Sequence, residues 1–335
     1  MGASSSAARV THADSAGACS HSAALEATHA KLGAQLGVRG FDERAIASAA
    51  AFFTADRPRR YEEPPWSLPP DAVRALVLPL DDHELSDRHA VRLGALALQA
   101  ASQLAAALPA GTHAWIPPAG TLHTTIFHPG ASPTELNKIP AHAKPAAPSS
   151  AALQHELEAA RLLAARVPIN LSLVVDRLAL TPAGVLLLLL RPAADGAAAC
   201  VHSLRTAAAA AFPQAARAKQ TSGIVHVSLL RILSLPRAAD YGPNATAAQA
   251  ANRLVAAWSA RLHGLPARIR GLVHVREAQI MTLDGTWSRL RFGAARRASV
   301  KGGRARRASA LSLADVLERG GTRPGYDHDR PWTYQ

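Results

Sequence analysis

Cysteine is almost missing from this chain. Only Cys19 and Cys200 occur in 335 residues, far apart and in neither a CxxC pair nor a Cys/His zinc spacing. A disulfide framework and a zinc site are therefore not part of the design, and a reduced, intracellular setting follows. Long apolar runs are missing too: the longest, Val185 to Leu190, covers six residues against the roughly 20 that a membrane helix needs. It suits a buried strand, and no membrane association is expected. The N-terminus lacks the charged start and apolar stretch of a secretory signal, so the sequons at Asn170 and Asn244 are read as chance. Also absent are a Walker-type loop, GxGxxG, HExxH and GxSxG, which removes the motif support for nucleoside-triphosphate, dinucleotide, zincin and serine-hydrolase chemistry.

What is present bounds the fold. The length allows one large domain or two ordinary ones. Ala supplies 75 residues, and 32 of the 37 basic residues are Arg in a chain of net charge +13. An anionic partner is one reading of that charge; the default output of a GC-biased genome is the other. Residues 1–25 are rich in Ser and Ala with Asp14 as the one acid, compatible with an organellar transit peptide although Arg9 alone supplies positive charge, and Met1-Gly2 with Ser6 fits a myristoylation pattern. Otherwise a cytoplasmic location is expected.

Along the chain, residues 1–70 read as a low-complexity or linker region, disordered or targeting, because no apolar period is sustained before the prolines Pro64, Pro65, Pro69 and Pro70. An ordered domain is expected over 71–292, and a basic tail over 293–335. Within the domain, Val73 to Leu80 suits a strand, Ser86 an N-cap, and the stretch to Leu108 a helix ended by Pro109 and Gly111. Leu122 to Phe127 is a strand, and Ser149 or Ser150 caps a helix through Arg166. Asn170 to Leu180 and Gly184 to Leu190 form two strands around a turn, with a helix over Ala197 to Ala211. Gly223 to Leu233 is a strand, Thr246 to His263 a helix, and Ile269 to Met281 with Trp287 to Phe292 a final strand pair. Strand, helix, strand recurs in each half, which predicts an α+β fold of two pseudo-twofold-related sheet lobes with outer helices and a central cleft.

The two second strands carry the only H-x-[ST] triplets in the chain, His123-Thr124-Thr125 and His226-Val227-Ser228. Side chains alternate along a strand, so each His shares a face with a hydroxyl: His123 with Thr125, His226 with Ser228. If the faces meet, two imidazoles and two hydroxyls surround one pocket. Such a set suits a phosphodiester. One imidazole accepts a proton from the attacking oxygen while the other protonates the leaving oxygen, and the hydroxyls of Thr125 and Ser228 donate to the non-bridging phosphate oxygens. Neither cofactor nor metal is required. Two satisfied strand histidines are the bland alternative.

These strands resemble the two-histidine (2H) phosphoesterase superfamily, which includes cyclic phosphodiesterases and bacterial 2',5' RNA ligases, with the nearer likeness to plant and algal RNA ligase/cyclic nucleotide phosphodiesterase-like members. The resemblance is carried by Leu122-His123-Thr124-Thr125-Ile126-Phe127-His128-Pro129, by Asp176-Arg177-Leu178-Ala179-Leu180-Thr181 with Gly184, and by His226-Val227-Ser228 with Arg231. Val275-Arg276-Glu277 before Leu283-Asp284-Gly285 adds to it. It implies a bilobal α+β fold and opening or joining of 2',3'-cyclic or 2',5'-linked ribose phosphates. The implied partner is a nucleoside 2',3'-cyclic phosphate or an RNA end, handled by a monomer. Ser228 stands where many members carry Thr, which loses the methyl that stiffens χ1. In regular strands His128 and Arg231 would point away from the histidines. Lys219 lies ahead of the second motif, and Trp115, Phe127, Tyr241 and Trp258 are the aromatics nearest to stacking a base.

Arg291 to Ala310 holds seven basic residues and no acid. It reads either as a grip on RNA phosphates or as a solvated tail, with Arg296-Arg297-Ala298-Ser299 and Arg306-Arg307-Ala308-Ser309 resembling basophilic kinase sites. Hydrolysis of 2',3'-cyclic phosphates is the first functional reading; RNA end-joining by the same residues, and an RNA-binding scaffold without turnover, are the alternatives.

Overall fold

The computed structural model describes residues 13–54, 57–64, 67–130, 146–167, 170–193, 201–213, 215, 224–236, 244–279 and 282–293. Its strands are β1 (Arg74–Pro79), β2 (His113–Trp115), β3 (His123–Phe127), β4 (Leu171–Leu180), β5 (Val185–Pro192), β6 (Val225–Ser234), β7 (Pro266–Ile269), β8 (Gly271–Glu277) and β9 (Gly285–Arg291). Its helices are α1 (Ala13–Arg39), α2 (Glu43–Ala50), α3 (Arg88–Ala107), α4 (Ser150–Arg166), α5 (Val201–Ala211) and α6 (Asn244–Leu262). The start of the helix expected from Ala197 lies outside the described residues.

The strands form two antiparallel sheets, one ordered β3-β1-β8-β9 and the other β2-β6-β5-β4-β7. The order β3-β1-β8-β9 matches β6-β5-β4-β7 strand for strand, all neighbours antiparallel, with β2 as an addition beside β6. The bilobal α+β architecture implied by the resemblance is the one observed. The crossover helices are exchanged between lobes. α3 follows β1 yet packs against β6, β7 and α6, whereas α5 follows β5 yet packs against β3 and α4. One apolar cluster therefore runs through both lobes, from Leu76 and Leu78 of β1 through Leu178, Leu186 and Leu188 to Leu93, Leu204 and Val255 of the helices. Each fully buried leucine in it contributes about 1.5–3 kcal/mol.

Local sequence explains these elements. Buried residues of α3 recur as Ala90, Leu93, Ala97, Ala100 and Leu104, the spacing of one helical stripe. Its N-cap is Asp87, not the expected Ser86: the Asp87 carboxylate accepts from Ala90 N at 2.8 Å, while the Ser86 hydroxyl donates to the Pro79 carbonyl at 3.0 Å. α4 is capped by Ser149, which accepts from Ala152 N at 3.2 Å. The expected strand from Ile269 to Met281 starts at Gly271 as β8 and ends at Glu277, Ile269 being the last residue of β7 in the other sheet; Ile280 and Met281 lie outside the described residues. The chain changes lobe at Arg270, whose N–H donates to Leu85 and whose carbonyl accepts from Phe292 N, and at Gly271 a Cβ would run into the Leu290 carbonyl.

The N-terminal expectation needs correction. Residues 13–54 contribute α1 and α2, and Leu25, Leu36, Phe41, Ile46 and Phe53 are buried. Residues 57–64 and 67–70 are turns and isolated bridges, docked through the Tyr61 hydroxyl, which donates to Glu277 at 3.0 Å. α1 lies on one face of β4 and β5, where Leu32 packs against Ala179, Leu187 and Leu189 and His29 Nδ1 meets Asp176 at 2.9 Å.

Candidate active site

β3 and β6 meet edge to edge at the seam between the lobes, where the Thr124 hydroxyl donates to the His226 carbonyl at 3.1 Å. Cross-strand pairs fix which way each side chain points, because residues directly opposite share a face. Pro79 pairs with His123 and Val77 with Thr125, so that imidazole and that hydroxyl lie on one face. Leu189 pairs with His226 and Leu187 with Ser228, and the same holds in the second lobe. All four are half-buried, flanked by fully buried Thr124, Ile126, Val227 and Leu229. The structure therefore brings the four expected site residues to matching places on the two strands that meet at the seam.

Each motif strand then breaks its alternation. Leu76 pairs with Phe127 and Val77 with Thr125, leaving Ile126 as an extra residue. Leu186 pairs with Leu230 and Leu187 with Ser228, leaving Leu229 as an extra residue. These are β-bulges at equivalent places, one position after each hydroxyl. A bulge shifts every later side chain to the other face, so His128 and Arg231 return to the face of the histidines. The expectation that both point away is corrected. Arg231 pairs with Val185 on that face and adds positive charge felt by His226. His128 Nδ1 donates to the Arg74 carbonyl at 3.2 Å, and its charge acts on His123.

The electrostatics are those of a cation-rich site. Burial pushes His123 down to about 4, opposed by the Thr121 carbonyl and assisted by His128. Burial also pushes His226 down to about 4, followed by the charges of Arg205, His123, Arg231 and His29. His226 senses the charge of His123 across the seam. His123 Nδ1 lies 2.7 Å from the Thr121 carbonyl and must donate to it, so the lone pair is on Nε2. His226 Nδ1 is buried without a hydrogen-bond partner among the described residues. No group of three or more His, Cys, Asp or Glu that could hold a metal ion occurs among the described residues.

Other candidates fall in different places. Trp115 pairs with Arg231 and so lies beside it, with Phe53 against its ring at 5.3 Å. Phe127 stacks on Phe212 at 5.8 Å, and Trp258 donates Nε1 to Gln103 at 2.9 Å; both are packing residues. Lys219, Tyr241 and the tail beyond Gly293 lie outside the described residues. Arg205 on α5 was missed by sequence reading, since nothing in an Ala-rich helix separates it from a surface arginine. Among the described residues no helix is long and apolar enough to cross a membrane.

Comparison of the sequence with protein-family models and with curated proteins returns no match. Among solved structures, the chain is similar to Kluyveromyces marxianus Usb1, with a TM-score of 0.40 and 12% identity over 67% of this chain and 99% of that one. It is similar to the same protein with uridine monophosphate, with a TM-score of 0.39 and 11% identity over 66% and 99%. A conserved protein of unknown function from Agrobacterium tumefaciens, ATU0111, gives a TM-score of 0.39 and 14% identity over 75% and 98%.

Proposed function

We propose that this chain is a two-histidine phosphoesterase that hydrolyses 2',3'-cyclic phosphates of nucleosides or RNA ends. The observation that carries this is the symmetric placement of His123 with Thr125 and His226 with Ser228 on two bulged strands that meet at one seam. Phosphate sits between the lobes, with the Thr125 and Ser228 hydroxyls donating to its non-bridging oxygens. Arg231, turned inward by the bulge at Leu229, supplies the countercharge. His123 Nε2 takes a proton from water as the water oxygen bonds to phosphorus. Protonated His226 gives its proton to the ribose oxygen as that P–O bond breaks, leaving a phosphomonoester and one ribose hydroxyl. An anion in the cleft stabilises the imidazolium that this step needs, against the burial that disfavours it in the free protein. Run backwards, the same residues join an end, with His226 as base and His123 as acid. Trp115 beside Arg231 supports a stacking surface for the base.

The experiment is incubation with nucleoside 2',3'-cyclic phosphates and a cyclic-phosphate-ended oligoribonucleotide, with a chelator present, beside His123→Ala and His226→Ala variants. Turnover is expected in the parent, with a loss of about 10²–10⁴-fold in each variant. No turnover of any substrate, or turnover that survives both substitutions, overturns the reading.

A further inference from the structure

Arg205 projects from α5 into the seam, with only 9% of its surface exposed. Its Nη1 donates to the Ile224 carbonyl at 2.9 Å and its Nη2 to the Thr125 carbonyl at 3.0 Å. The first carbonyl lies two residues before His226; the second belongs to the hydroxyl-bearing residue of the other motif. Among the described residues β3 is an edge strand, paired with β1 alone, and the guanidinium takes one of its carbonyls. A planar fork with fixed N–H directions can hold two carbonyls at once, which an ammonium on a flexible stem does poorly. Burying the charge burdens folding unless it is hydrogen-bonded, so a leucine or methionine here would pack more cheaply. Retaining an arginine makes sense where its fork acts on the strands it joins. α5 follows β5 of one lobe and packs on β3 of the other, so Arg205 ties the exchanged helix to both motifs.

We propose that Arg205 is a positioning residue that clamps β3 to the start of β6 and so fixes the distance and orientation between His123 and His226. This rests on the two-histidine reading above, and it goes beyond that reading by assigning the site's geometry to a residue outside both motifs. Misplacing reacting groups by about 1 Å can cost about 10²-fold, so the fork's effect falls on turnover while the phosphate-binding hydroxyls keep substrate affinity. Its charge also stands against protonation of His226, where it is the largest of the charge effects, and it is not among those acting on His123.

The test compares Arg205→Met, which keeps the stem but loses the fork, with Arg205→Lys, which keeps the charge but not the paired donors. Circular dichroism and thermal melts establish that each is folded at the assay temperature. Both variants are expected to lose about 10²-fold in kcat with KM changed less than about threefold. Added guanidinium is expected to restore at least tenfold of the loss in the methionine variant. Independently of turnover, NMR titration of the imidazoles is expected to show His226 titrating at higher pH in Arg205→Met and His123 unmoved. Unchanged kcat in the folded variants, or a loss that guanidinium does not rescue with both imidazoles titrating as in the parent, overturns the proposal. If the parent itself turns over no cyclic phosphate, the functional reading fails, and the imidazole titrations still decide whether Arg205 acts on His226.

Discussion

At the scale of single residues, the two imidazoles are held at about 4, so both are neutral in the free protein near pH 7. An anion bound between them favours the imidazolium and raises at least one of these values, and linkage then requires proton uptake on binding. Affinity for sulfate, which does not titrate in this range, is therefore expected to strengthen as pH falls from 7 toward 5, by up to about tenfold per pH unit for one proton taken up. Titration calorimetry checks this, and an affinity flat with pH in the parent contradicts it. Asp81 is a different case. It follows β1, its Oδ1 is buried without a partner among the described residues, and burial pushes it up to about 6 from an ordinary 3.8. A carboxyl raised on folding stabilises fully below its unfolded value, and that contribution is lost as pH rises through about 6. Asp81→Asn, which stays neutral, is expected to stabilise the fold at pH 8 by about 1–3 kcal/mol and to do little at pH 4. Equal effects at both pH values in denaturant melts would show that the carboxyl is not buried as described.

At the scale of elements, the turn between β4 and β5 sets where the pairing of β5 with β6 begins, at Val185 opposite Arg231. Gly184 there has φ of 73°, and a Cβ on it would lie 2.8 Å from Ile232 Cβ and 3.2 Å from Ile46. Gly184→Ala is expected to cost about 1–3 kcal/mol, seen as a lower melting temperature; an unchanged melt would mean the turn relaxes freely. Most strands and helices were legible in the sequence because apolar runs of period two and stripes of period 3.6 show directly, as in Leu122 to Phe127 and in α3. The rest was hidden for identifiable reasons. β2 is three residues long and has no period to read. α1 buries Leu25, His29 and Leu36 with Ala and Gly between, so its stripe is thin and has a histidine in the middle. The chain's change of sheet at Arg270 leaves no mark in hydropathy. The bulges matter most for the site, since an extra residue appears only in the pairing between strands. That His123 shares a face with Thr125, and His226 with Ser228, could be read from strand alternation, whereas the inward turn of His128 and Arg231 could not.

At the scale of the whole molecule, the exchanged helices and the shared core make the relative placement of the lobes a property of the fold rather than of a hinge. α1 covers the β4 and β5 part of the face that displays His226 on β6, which leaves the chemistry at the seam where β3 and β6 meet. On the proposed function the two imidazoles, one from each lobe, act on the same phosphate as one device. The measurement that tests this most directly is a double-mutant cycle of kcat/KM on a 2',3'-cyclic phosphate with His123→Ala, His226→Ala and the pair. Groups that act as a unit are strongly non-additive, so the double variant is expected to be no slower than the slower single variant within about threefold. Losses that multiply, or a single variant that keeps parental activity, would show that the two histidines do not work on the same phosphate.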